Sequence, residues 1–382
     1  MKKLMSCLLL LCLVLMALPA AAEVHLTGEN ELQSPVALAL VNQVHPLPDG
    51  NLLVIASGEA TADGSTTRYA LCAAPDGTLL WHYALCTDGK TGSPYTLEVA
   101  LLPEGIVIEG TKVDYYAPEN ARLTWRIGYD GTLLTDAEAS LVPTDRVCHS
   151  YNRGAFCMEM AYVYDEADAF FTRITHRETG AVWEDMLPAA RYSCFALGDR
   201  LLLIDLTSQA PALTVHVFDA QCRLFTQYTF SVEGEVATPY AAIETSDTLY
   251  LLINTANGGK PWRYTVVPVD KATALPGDPV GIHTLPGVDD TAASQIACGD
   301  GMLELFGHQP VWGEPYCTQL RHVTKDGAIT VLADITGRPY LFATLDVCFL
   351  VPGADGHSAV FLHRDEGTES GYCLKTYAWD EE

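Results

Sequence analysis

The sequence predicts an all-β chain, on three observations. No stretch of about a dozen residues carries an apolar stripe at i, i+3, i+4, i+7 with helix caps. Apolar runs rich in Val, Leu, Ile, Tyr, Phe and Thr recur instead, each bounded by Gly, Pro, Asp or Asn. The runs also come in sets of four, and the sets repeat about every 50 residues. The stretch ALCAAPDGTLLWHYAL, residues 70–85, shows the cadence: strand, Pro-Asp-Gly turn, strand.

Each set is written as strands A to D. The first runs from VNQVHPL through PDG to NLLVIASGEA, then TRYALCAA, PDG and TLLWHYAL. The second has YTLEVALL, PEG, IVIEGTKVDYY, RLTWRIG, YDG and TLLTDAE, and the third RVCHSY, NRG, AFCMEMAYVY, AFFTRITH, ETG and AVWEDML. In the fourth stand RYSCFAL, GDR, LLLIDL, ALTVHVFD, AQC and RLFTQYTF. YAAIE, TSD, TLYLLINT, RYTVVPVD, a longer KATALPG turn and DPVGIHTL make the fifth. The sixth is SQIAC, GDG, MLELFG, CTQLRHV, TKDG, AITVLADI. YLFATLD, VCFLVP, AVFLHRD, EGTES and GYCLKTYAW close the series. Strand A thus begins near residues 41, 94, 146, 191, 240, 294 and 340.

Seven such units over residues 23–382, with no linker between them, predict a single β-propeller. In that ring each sheet packs its faces on its neighbours and no edge is left open. Six or eight blades are the alternatives. Val24 to Leu32 offers one more strand near ring closure, which would shift the phase of the last blade.

The turns APDGTLLW, YDGTLLT, RETGAVWE and TKDGAITVL resemble the C–D hairpins of quinoprotein-like and related bacterial propeller repeats. The resemblance covers most of the chain and implies the fold alone. The adjacent cysteines and cofactor-binding residues of quinoprotein dehydrogenases have no counterpart here, nor do the Gly-His and Trp-Asp signatures of WD40 blades or the boxes of sialidases. Fold does not carry activity with it.

MKKLMSCLLLLCLVLMALPAAAEV has the three parts of a secretory leader. Lys2 and Lys3 precede an apolar run from Leu4 to Leu18, and Ala20-Ala21-Ala22 supplies the small residues for cleavage after Ala22. The run is shorter than the roughly 20 residues a bilayer span needs. The expectation is a secreted or extracytoplasmic protein without a membrane segment. Formal net charge is −26, and it becomes more negative once the leader is removed. So acidic a surface repels nucleic acid and anionic membranes.

Of the 12 cysteines, Cys7 and Cys12 lie in the leader. An even set remains, which in an exported chain suggests disulfides. A two-residue loop at Asn152-Arg153 would pair Tyr151 with Gly154 and hence Cys148 with Cys157, in the close register that suits a bridge. The others sit mostly in apolar strand runs, where a free cysteine behaves as a small buried hydrophobe. No cysteine or histidine spacing suggests zinc.

Chemical motifs are missing: no HExxH, nucleophile elbow, P-loop or GxGxxG occurs. Calcium would suit an acidic surface, yet the loop ATADGST lacks the spaced acids of a calcium site, so no cofactor is expected. Trp81, Trp125 and Trp183 read as packing between blades, and His216 and His322 as structural.

Loop lengths are more informative. A–B and C–D turns emerge on one propeller face and are short. The B–C segments TADGST, YYAPENA, DEADA, TANGGKPW, HQPVWGEPY and PGADGHS are longer, as are CTDGKTGS, DAEASLVPTD, SVEGEVATP and PGVDDTAA between D and A. Function concentrates on long loops held by a rigid scaffold. That face offers Tyr115, Tyr116, Trp262, Trp312 and Tyr316 with Asp165, Glu166, Asp168, Asp289, Asp290 and Glu314. Aromatic faces beside carboxylates suit a sugar ring or a basic or hydrophobic peptide. The sequence therefore favours a monomeric, non-catalytic module for a protein or glycan ligand. One alternative is a carbohydrate-active enzyme, a glycosidase or lyase using two carboxylates of that face. Another is a structural role in envelope assembly.

Overall fold

The computed structural model describes residues 24–89, 94–114, 117–143, 149–163, 169–188, 192–205, 212–233, 236–245, 247–256, 263–282, 289–298, 301–309, 317–324, 327–334, 349–353, 355, 357–365 and 367–379. Among them the chain forms 28 strands in seven four-stranded antiparallel sheets, a seven-bladed β-propeller.

The N-terminal strand β1 (Val24–Glu31) stands apart from its sequence neighbours. The first blade follows, with β2 (Leu38–Pro46), β3 (Leu52–Gly58), β4 (Thr66–Ala73) and β5 (Leu79–Asp88). The second holds β6 (Tyr95–Leu102), β7 (Gly105–Lys112), β8 (Glu119–Ile127) and β9 (Leu133–Pro143). In the third are β10 (His149–Arg153), β11 (Phe156–Val163), β12 (Ala169–His176) and β13 (Val182–Pro188). β14 (Tyr192–Leu197), β15 (Arg200–Asp205), β16 (Ala212–Phe218) and β17 (Leu224–Ser231) build the fourth. The fifth has β18 (Val236–Glu244), β19 (Thr248–Ala256), β20 (Arg263–Asp270) and β21 (Val280–Ile282). The sixth has β22 (Asp289–Cys298), β23 (Gly301–Gln309), β24 (Cys317–Val323) and β25 (Ile329–Asp334). Last come β26 (Phe349–Pro352), β27 (Ser358–Arg364) and β28 (Tyr372–Trp379).

Burial follows position in the blade. The second strand of a blade is covered on both faces by adjacent sheets, and LLVIASG in β3 is buried at every residue. The outermost strand is half exposed, so β5 alternates along LLWHYA before its end turns inward. Cores lie between blades. Leu53, Ile55, Ile108 and Trp125 fill the seam of the first and second, and Leu202, Val215, Leu251 and Val267 that of the fourth and fifth. Trp81 packs on Gly131 of the next blade's turn, Tyr83 Oη donates to the Gly131 carbonyl at 2.6 Å, and Trp183 meets Phe218 with ring centroids 5.0 Å apart. Trp81, Trp125 and Trp183 thus pack between blades.

The closing blade corrects the sequence reading. Its order is β26-β27-β28-β1, so the N-terminal strand supplies the outermost position. VCFLVP gives the innermost strand and GYCLKTYAW the third, one place inward from the reading above. The start near residue 340 and the segment YLFATLD lie outside the described residues. One consequence is that PGADGHS joins the first and second strands, and so belongs with the short turns. The connection at residues 365–371 is the B–C connection instead. Tyr372 is fully buried here, and its hydroxyl accepts Val41 N–H of the first blade at 3.0 Å.

The hairpin of the third blade is corrected too. Arg153 pairs with Phe156, so the turn residues are Gly154 and Ala155, and Cys157 faces Asn152. Gly154 takes φ +57°, which its missing side chain tolerates where Asn152-Arg153 would have needed strain. Cys157 is a free buried thiol, its Sγ 3.5 Å from Ser150 Oγ. Burial pushes it up to about 12, so it stays protonated. Cys148 lies outside the described residues, and the register on which the bridge was expected does not form.

Candidate functional site

The long-loop face is built by the B–C and D–A connections. Tyr115, Tyr116, Asp165, Glu166, Asp168, Trp262, Trp312, Glu314 and Tyr316 all lie outside the described residues. Asp289 and Asp290 are described as backbone. They open β22 opposite Gln309 and His308, as strand and not as loop. DAEASLVPTD is likewise mostly strand, since β9 continues to Pro143. Strands therefore reach further into this face than the sequence suggested.

ATADGST, the B–C connection of the first blade, is closed on itself. Asp63 Oδ1 accepts from Thr61 Oγ1 at 2.5 Å, Ser65 Oγ at 2.8 Å and Ser65 N–H at 3.0 Å. Those hydrogen bonds hold its carboxyl down at about 2, a turn-forming role.

A second polar constellation lines the ring's centre, on the innermost strands. Gln43 Nε2 donates to the Leu97 carbonyl at 2.7 Å, and its Oε1 lies 3.0 Å from His45 Nε2. Glu98 Oε2 accepts Asn152 N–H at 3.2 Å and lies 4.0 Å from Arg153. Arg153 Nε donates to the Cys194 carbonyl at 3.0 Å, Ser193 Oγ to the Pro239 carbonyl at 3.3 Å, and Gln295 Nε2 to Tyr240 Oη at 3.2 Å. Apart from the Gln43–His45 contact within β2, each bond links one blade to the next. Burial, with help from Arg153, lowers His45 to about 4, so its imidazole is neutral. Burial also raises Glu98, although Asn152 N–H and Arg153 oppose this.

The seam between the second and third blades is ionic. Among the described residues its buried apolar clusters hold few members, Ala100, Leu102 and Val107 on one blade and Ala161 and Phe171 on the other. Arg122 pairs with Glu159 at 2.8 Å, and Arg177 with Glu109 at 2.5 Å and Asn152 Oδ1 at 2.7 Å. Between the fifth and sixth blades, Glu304 and Arg321 form a fully buried pair. Tyr264 Oη donates to Glu304 at 2.6 Å, and the guanidinium carbon lies 3.4 Å from the Phe306 ring centroid.

Sequence reasoning passed over these residues because it sought chemistry in loops. A signal existed for three of them: Gln43, His45 and Glu98 interrupt apolar runs read as strand A, the strand that lines a propeller's centre, whereas Arg153 reads as part of the NRG turn. The geometry engages Gln43, Glu98 and Arg153 in inter-blade bonds that seal the ring, and His45 is held by Gln43.

No family model matches the chain, and no curated protein matches it. Among solved structures it resembles the β-propeller domain of the Trilobed protease from Pyrococcus furiosus. Identity is 10%, coverage 91% of this chain and 95% of that one, and TM-score 0.51. That domain is described as having an open velcro topology, whereas here β1 and β28 complete one sheet. An acylaminoacyl peptidase from Pyrococcus horikoshii is similar at 10% identity and TM-score 0.51, over 90% of this chain and 51% of that one. This chain therefore spans about half the length of that peptidase. Likeness at such identity establishes the propeller fold.

Proposed function

We propose that the chain is an exported, non-catalytic binding or scaffold propeller that recognises a protein or glycan through its B–C and D–A face. The observation that carries this reading is the pairing of the charged groups described within the ring. Glu98, Glu109, Glu159 and Glu304 are each held by an arginine. They brace blades, which leaves recognition to connections carried on a rigid frame. The same pairing speaks against a carboxylate-based glycosidase built from these acids.

Thermal unfolding of the mature protein against cell-wall fragments, glycans and basic peptides tests the reading. A ligand near 100 times its dissociation constant adds about 2.7 kcal/mol to the native state, a rise of a few degrees in midpoint. The rise should vanish in Trp312→Ala and Tyr115→Ala. A rise that both variants keep places the ligand elsewhere, and turnover of a glycan overturns the non-catalytic reading.

A further inference from the structure

We infer that Glu29, His363 and Cys373 form a binding site for a thiophilic divalent cation of the zinc class, tying the N-terminal strand into the closing blade. The three residues stand on three adjacent strands, β1, β27 and β28. His363 is the direct cross-strand partner of Cys373, and Cys373 that of Glu31, one pleat along from Glu29. All project from one face of the sheet, as period two requires. One donor atom from each residue lies within 4.8 Å of the others, and Cys373 Sγ is 4.0 Å from Glu29 Oε1. Tetrahedral zinc with ligands at about 2.0–2.3 Å brings donors to about 3.3–3.8 Å apart, so a modest closing of the Glu29 side chain completes the set.

The histidine is oriented for this task. Its Nδ1 is 3.0 Å from the Arg364 carbonyl, which can only accept, so the proton sits on Nδ1 and Nε2 carries the lone pair. A backbone acceptor on the far nitrogen is the usual outer-shell partner of a metal-ligating histidine. Phe361 stacks on the ring at 5.0 Å and fixes its plane. His363 and Cys373 are 1% and 4% exposed, whereas the Glu29 side chain is 45% exposed and opens the site to solvent.

Thiolate, imidazole and carboxylate together select zinc over calcium or magnesium. On binding, the Cys373 Sγ–H bond breaks, its proton goes to solvent, and Sγ, Nε2 and a Glu29 oxygen each donate a pair to the metal. Three protein donors leave one position to water. Lys375 Nζ, 3.3 Å from Glu29 Oε1, keeps the carboxylate paired before the cation arrives. The cation's effect is mechanical: it joins strands separated by more than 300 residues of chain.

Cobalt(II) titration of the metal-stripped, full mature chain tests this. A thiolate-to-cobalt charge-transfer band and tetrahedral visible absorption should appear at one equivalent and be displaced by zinc. Cys373→Ser should abolish the charge-transfer band. Glu29→Gln, on an exposed side chain that leaves the fold intact, should weaken cobalt binding at least tenfold and remove the rise in thermal midpoint produced by zinc. An octahedral spectrum without the band overturns the proposal, as does a band that survives Cys373→Ser. If Cys373→Ser fails to fold, Glu29→Gln decides: cobalt affinity equal to wild type overturns it.

Discussion

Gly77, in the Pro-Asp-Gly turn of the first blade, has φ +84°. A Cβ built there runs into the carbonyl of Glu31 at the end of β1. The turn is also bonded to that chain, since Gln33 N–H donates to the Gly77 carbonyl at 2.9 Å. Gly77→Ala should therefore cost the left-handed penalty of about 1–2 kcal/mol plus the displacement of β1. Gly180 provides the control, with φ +67° and nothing within 4 Å of its Cβ. Urea unfolding should show Gly180→Ala lowering stability by about 1 kcal/mol and Gly77→Ala by at least twice that. Equal losses would mean that the turn does not buttress ring closure. The buried pair of the fifth seam gives a sharper case. Arg321→Met strands the Glu304 carboxylate with only the Tyr264 hydroxyl, and a broken buried pair costs about 3–5 kcal/mol. Removing both charges with Glu304→Leu and Arg321→Met together should cost far less than the two single losses combined. A double-mutant cycle from urea midpoints reads that difference, and additivity would deny the coupling.

At the scale of strands, β28 is the element on which closure turns. Its even positions Tyr372 and Leu374 face the first blade, and its odd positions Tyr377 and Trp379 face the sixth. Tyr372→Phe keeps that packing and removes the acceptor from Val41 N–H, so about 1–3 kcal/mol should be lost. Differential scanning calorimetry of the two proteins checks this, and an unchanged midpoint would show that solvent replaces the hydroxyl. The strands themselves were legible because Asp-Gly, Glu-Gly and Thr-Gly turns and period-two alternation are local signals. Closure was legible only in part: Val24 to Leu32 read as one more strand near the point of closure, but its pairing with β28, Val24 against Trp379, is set only once the ring forms. The third hairpin misled for a smaller reason. Asn152-Arg153 and Gly154-Ala155 both read as turns, and the burial of Asn152 settles the choice. Cys222, in the turn read as AQC, fills at φ +53° the left-handed slot that Gly77, Gly131, Gly180 and Gly327 fill in other blades. The Asp219 carboxylate holds that turn by accepting Gln221 and Arg223 N–H at 2.9 and 3.0 Å. Of the candidate site, loop composition was readable, whereas the polar lining of the centre depends on seven strands meeting around one axis.

For the molecule as a whole, that lining makes ring stability sensitive to acid. His45 is lowered from 6.5 to about 4 by burial and by Arg153. The unfolded chain therefore binds a proton at this residue as pH falls below about 6.5, while the folded ring does not. Stability contributed by neutral His45 is complete above that pH and declines as pH falls towards about 4, where the folded imidazole finally protonates. Glu98 acts in the opposite sense. Its raised folded value adds stability at low pH that fades as pH rises through it, so it blunts the acid loss without reversing the His45 contribution. Both groups sit on innermost strands, Glu98 bonded to the third blade and His45 to Gln43, which itself bonds to the second, so the proton acts where the blades meet. Thermal midpoints of the wild type and His45→Gln between pH 7 and pH 4 separate the two effects. The wild type should lose more stability than the variant across that interval, and the difference curve should flatten near pH 4. Parallel curves would mean that His45 is solvated in the folded ring and that the centre is wetter than its hydrogen bonds imply.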